Sequence, residues 1–132
     1  MAWGKMKLSL TRIIGKISLS YWRTGFAIGL ISVATLSLLP GNVVSMPAFP
    51  HSDKLTHFIA YAALGLTGGL SFRTRKLILI IALISYGALI EYLQSFLPMR
   101  EMDIWDFVAN TGGVFCGAFV ATKLVLQTER NG

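Results

Sequence analysis

The chain has 132 residues, of which 54% are hydrophobic and only 14% charged, with a net charge of +6. Soluble domains carry roughly 25% charged residues, and a fold this small has too little interior to hide so much apolar surface. A soluble enzyme is excluded on that ground, and a nucleic-acid partner is not expected because the basic residues are distributed by topology rather than gathered in a patch.

Residues 1–20, MAWGKMKLSLTRIIGKISLS, place Met6, Leu10, Ile13, Ile14 and Ile17 at helical spacing, with Lys5, Arg12 and Lys16 on the opposite side. That pattern predicts a basic amphipathic helix lying on an anionic membrane surface, with Trp3 at headgroup level. No A-x-A site follows the apolar run ending at Leu39, so cleavage as a signal peptide is not expected.

A single membrane domain over residues 21–126 follows, then a short tail at 127–132. No acidic or basic side chain occurs between Arg23 and His51, between Lys76 and Glu91, or between Asp106 and Lys123, and only His57 interrupts the stretch from Lys54 to Arg73. With their flanks these stretches approach the roughly 20 residues a spanning helix needs. They predict four transmembrane helices at about 22–39, 52–72, 77–97 and 103–126, an all-α polytopic protein whose bilayer is its first partner. Pro40, Gly41 and Asn42 stop the first, and Pro98 ends the third.

Ten basic residues lie before or at the start of the first span, at 73–76, or at or after the end of the fourth, against two (Lys54 and Arg100) in the other connections. The positive-inside rule then predicts an N-in/C-in membrane protein. Cys116 is the only cysteine, so no intrachain disulfide exists. Gly25 and Gly29, Gly65 and Gly69, and Gly113 and Gly117 form small-x-x-x-small pairs, expected to pack helices within the bundle or, alternatively, to join a homodimer.

Polar residues collect at one end of these spans. Asp53 and His57 share a helix face, and Tyr61 continues it inward. Glu91 sits inside the third span with Gln94 three residues on; Asp103, Asp106 and Asn110 share a face of the fourth, and Arg100 lies in the connection between them. A carboxylate at Glu91 costs several kcal/mol in lipid unless a partner or water meets it, roughly 2.5–3.5 at the bilayer centre. These residues, with Lys54, form the candidate pocket. The competing structural reading makes Asp53 and Asp103 helix N-caps, His57 an interfacial histidine and Asn110 interhelical glue.

No metal or other cofactor is expected, since no H-E-x-x-H, no second histidine on a span and no paired cysteines occur. Ser52 and Ser95 lack a G-x-S-x-G context, so no nucleophile is identified. Lys54 and Arg100 are expected to meet a phosphate or carboxylate.

The stretches DKLTHFIAY and IEYLQSFLPMREMDIWDFVANTGGVFCG resemble the VanZ-like family of small bacterial integral membrane proteins, named for a teicoplanin-resistance protein. The resemblance covers about residues 50–118 and includes Asp53, Lys54, His57, Tyr61, Glu91, Gln94, Arg100, Asp106, Asn110 and Gly113. It implies a cell-envelope role and, for the founding member, tolerance of a lipid-tailed glycopeptide antibiotic; it implies no catalytic residue. The expected function is binding of an envelope lipid, a lipid-linked cell-wall precursor or a lipoglycopeptide. The alternatives are a headgroup enzyme using His57 and Glu91 as acid–base pair, and a subunit of a larger membrane complex.

Overall fold

A computed structural model describes residues 13–40, 43, 50–98 and 100–130. Its long helices are α1 (Leu19–Ser37), α2 (Ser52–Ser71), α3 (Lys76–Gln94) and α4 (Ile104–Arg130), and no strand occurs among the described residues. Most of the expected loop at 40–52 and the first twelve residues of the expected amphipathic helix fall outside the described residues. Residues 13–16 are helical.

Helix boundaries follow local chemistry. α1 starts three residues earlier than expected, because the Ser18 hydroxyl accepts from the Ser20 N–H and caps it there. Its far end is held by Gln94, whose amide donates to Ser37 O at 2.9 Å. α3 stops at Gln94 rather than Leu97: the next residues turn, with Ser95 Oγ donating to Tyr92 O, ahead of Pro98. α4 runs to Arg130, past the expected end near 126, since no proline or glycine breaks it between Gly117 and that point.

α2 and α4 form the central pair; α1 lies against α2, and α3 against both. Glycine makes the central contact close. A Cβ on Gly65 would sit 2.5 Å from Val114 O, one on Gly69 would sit 2.6 Å from Ala121 Cβ, and Cβ atoms on Gly113 and Gly117 would collide with the Phe58 and Ala62 carbonyl oxygens. Gly29 faces Leu64, but nothing lies within 4 Å of where a Gly25 Cβ would be. The Gly25/Gly29 pair therefore divides, with only Gly29 at a helix contact.

The apolar core is a cluster of Tyr61, Leu64, Leu79, Leu83 and Val114, with Leu70, Ala121 and Val125 packed towards the other end. Ile14, ahead of α1, rests on that second cluster, so the start of the chain touches the bundle itself. Tyr86 donates to Leu30 O at 2.7 Å and ties α3 to α1. Outside, the pattern inverts that of a soluble protein: Ile28, Ile31, Ile59, Ile78, Ile81, Phe115 and Phe119 are exposed while Glu91, Asp106, His57 and Asn110 are buried.

By length and composition α3 and α4 qualify to cross a membrane. α1 and α2 match α3 in length, 19 and 20 residues or about 30 Å, but are less apolar. The polar first turns of α2 account for part of that difference.

Candidate functional site

The polar residues converge where α2 and α4 begin and α3 ends. The helical repeat stacks Asp53, His57 and Tyr61 along one side of α2, and Asp106 and Asn110 one turn apart along α4. Close glycine packing brings these two sides together, and Gly87 lets α3 approach as well: a Cβ there would sit 3.3 Å from the Tyr61 ring and 3.5 Å from Asn110 Cβ. Three helices thus deliver side chains into one small volume.

At the rim is Lys54. Its ammonium donates to Asp103 Oδ2 at 2.7 Å, Asp53 Oδ2 at 2.9 Å and Asp106 Oδ1 at 3.2 Å. An ammonium has three protons, so all are committed. Lys54 is a strut between α2 and the start of α4, and the clamp on an anionic ligand expected of it is already filled by protein carboxylates. Asp103 does double duty: its Oδ1 accepts from the Trp105 N–H at 2.8 Å and caps α4. The Lys54 hydrogen bond, followed by that backbone one, holds the Asp103 carboxyl below the usual carboxylate range; it precedes α4 and lies outside the helix.

Deeper lies a second network. Asn110 Nδ2 donates to Glu91 Oε1 at 3.2 Å, and Asn110 Oδ1 pairs with His57 Nδ1 at 3.0 Å. His57 also faces both acids, with Nδ1 3.7 Å from Glu91 Oε1 and Nε2 3.8 Å from Asp106 Oδ2. Side-chain exposure falls from 42% at Asp53 through 25% at Lys54 and 12% at Asp106 to 3% at Glu91, a funnel from solvent into the bundle. Four carboxylates against one ammonium give it an acidic surplus.

The other candidates stand apart from the two networks. Tyr61 is buried one turn below His57, and its hydroxyl has no hydrogen-bond partner among the described residues. Gln94 serves the end of α1. Arg100 is half-buried, and its Nε likewise has no partner among them.

At the opposite end of the bundle is a feature not expected from the sequence. An apolar cleft of about 420 Å³ between α1 and α3 is lined by Phe26, Leu30, Leu79, Leu83 and Tyr86, together with Phe72 and Arg75. Phe72 and Arg75 also line a more polar cavity with Arg23 and Arg73. The basic run at 73–76 is a legible signal, but it reads equally as a topological determinant.

A family model described as VanZ/LLP1 matches residues 6–126. No curated protein and no solved structure matches the chain. With most of its length covered, the chain belongs to the VanZ-like family.

Proposed function

We propose that this VanZ-like protein is a multi-pass protein of the bacterial cytoplasmic membrane that binds an envelope amphiphile in its polar funnel. α1 to α4 are its four spans, with both termini inside and the funnel facing outward. The amphiphile is a lipid, a lipid-linked cell-wall precursor or a lipid-tailed glycopeptide such as teicoplanin.

The observation that carries this reading is the inverted polarity of the bundle. Exposed isoleucines on every long helix, with Phe115 and Phe119 on α4, suit hydrocarbon, whereas a buried Glu91–Asn110–His57 network in a membrane bundle defaults to a functional site. The acidic surplus favours a head that carries an amine or arrives with a cation. Arg100, with its unpartnered Nε, is the group left to meet a phosphate or carboxylate on the same head.

The test is mass spectrometry of amphiphiles retained by the full-length protein in mild detergent, with teicoplanin offered in parallel. The expected result is one class held by the wild type and lost from folded Arg100→Gln. Retention of the same lipids by both would sink the reading. Reporter fusions at Arg100 and Thr74 check the orientation: the first should be active only as an external reporter, the second only as a cytoplasmic one.

A further inference from the structure

His57, Glu91 and Asp106 each have one atom engaged and one left over. Asn110 accepts from a protonated His57 Nδ1, because its own Nδ2 faces the Glu91 carboxylate; in the neutral imidazole Nε2 then carries the free lone pair. Asp106 takes Lys54 on Oδ1, which leaves Oδ2, and no described residue donates to it. Glu91 takes Asn110 on Oε1; the Asp103 backbone N–H also approaches its carboxyl, yet Oε2 has no partner in hydrogen-bond geometry among the described residues, in a residue only 2% exposed.

The distances between these groups are too long for hydrogen bonds. His57 Nε2 and Asp106 Oδ2 are 3.8 Å apart, and one ligand atom from each of the three residues lies within 4.8 Å of the other two. The 3.8 Å pair fits two atoms each about 2.0–2.2 Å from one ion, which can stand no more than about 4.4 Å apart, and the 4.8 Å bound leaves the third ligand at most a few tenths of an ångström to close. A buried carboxylate oxygen without a donor is costly, and a cation removes the cost.

We propose that His57 Nε2 and the carboxylates of Glu91 and Asp106 bind a divalent transition-metal ion. One imidazole with two carboxylates favours Zn²⁺, Mn²⁺ or Fe²⁺ over Ca²⁺ and Mg²⁺, which take all-oxygen sets. Asn110 and Lys54 are its outer partners: the first sets the histidine tautomer and orients Glu91, the second orients Asp106. Three protein ligands leave a position open to water or a ligand. The neighbouring trio of Asp53, Asp103 and Asp106 needs no ion, because the Lys54 ammonium already bridges it.

The site stands on this geometry and not on the identity of any amphiphile, so lipid retention and metal binding fail independently. The full-length protein in detergent, stripped with chelator and dialysed, is titrated with Co²⁺ as a visible-absorbing probe and Zn²⁺ as competitor. One Co²⁺ per chain, displaced by Zn²⁺, is expected. His57→Gln, Glu91→Gln and Asp106→Asn should each abolish it, Asn110→Ala should weaken it about 10–100-fold, and Glu101→Gln, an exposed carboxylate outside the cluster, should leave it intact. Circular dichroism reports whether each variant is folded. Should the ligand variants unfold, Zn²⁺ protection of His57 from diethylpyrocarbonate in the wild type, read peptide by peptide, decides the matter. Absence of saturable Co²⁺ binding, binding that survives folded Glu91→Gln, or a His57 that stays reactive under Zn²⁺ overturns the proposal.

Discussion

Asn110 and Glu91 sit on different helices and meet through one hydrogen bond, from Asn110 Nδ2 to Glu91 Oε1 at 3.2 Å, in an interior where each is no more than 2% exposed. The same amide reaches His57 with its carbonyl, so one asparagine links α2, α3 and α4. Asn110→Leu keeps the branched outline but leaves both partners unmet. It should lower stability in detergent by about 1–3 kcal/mol, the cost of stranding buried polar groups, measured by thermal unfolding. An unchanged melting temperature would show that water replaces the amide and that the linkage is incidental.

Lys54 invites a pH experiment. Lys54→Met removes the cation shared by Asp53, Asp103 and Asp106 and leaves three carboxylates repelling one another. Because Asp53 and Asp103 are each more than a third exposed, the loss near neutral pH should be well below that for a fully buried pair. The native Asp103 carboxyl is held below its ordinary range, so the stability it contributes is complete above the unfolded value of about 4 and disappears as pH falls through the lower native one. The gap between wild type and variant should therefore be largest above that range and close on acidification. A gap independent of pH would point to lost packing of the lysine stem instead.

Glycine spacing alone does not say which stripes face a neighbour. Gly117→Ala forces a methyl group against the Ala62 backbone, and pushing α2 from α4 should cost about 1–3 kcal/mol. Gly25→Ala meets open space and should cost nothing. Unfolding of both variants in one detergent checks the contrast, and equal effects would contradict the close α2–α4 approach.

Element order and the polar convergence were legible because both rest on short-range information: long uncharged runs, basic flanks, and three- or four-residue spacing of Asp53 with His57 and Asp106 with Asn110. The helix ends were less so, since Ser18 reads as an ordinary serine until it is seen capping α1. The role of Lys54 was hidden, because two of its partners lie 49 and 52 residues away. The proposed metal site leaves no local motif, because motifs such as H-E-x-x-H report sites built on a single helix and His57, Glu91 and Asp106 come from three. The motifs that carried the family resemblance began near residue 50, whereas the family match extends back to residue 6 and takes in α1.

If the cluster acts as one unit, its members should be energetically coupled. His57 Nδ1 lies 3.7 Å from Glu91 Oε1, and both side chains bond to Asn110. Contacting groups of this kind show about 0.5–3 kcal/mol of non-additivity, whereas sites more than roughly 7–10 Å apart add almost independently. Glu91→Gln preserves shape and removes the charge, so it should abolish function with little loss of membrane abundance. Adding His57→Gln should then change almost nothing further. Leu89→Ala, an exposed apolar position on the same helix, serves as the silent control. The readouts are tolerance of lipid-tailed glycopeptides conferred on a sensitive bacterium and, in the same cells, the amount of each variant in the membrane. A fully active Glu91→Gln, or one whose only defect is disappearance from the membrane, would reduce the cluster to architecture. Independent, additive losses from Glu91 and His57 would break the single site into two unrelated polar contacts.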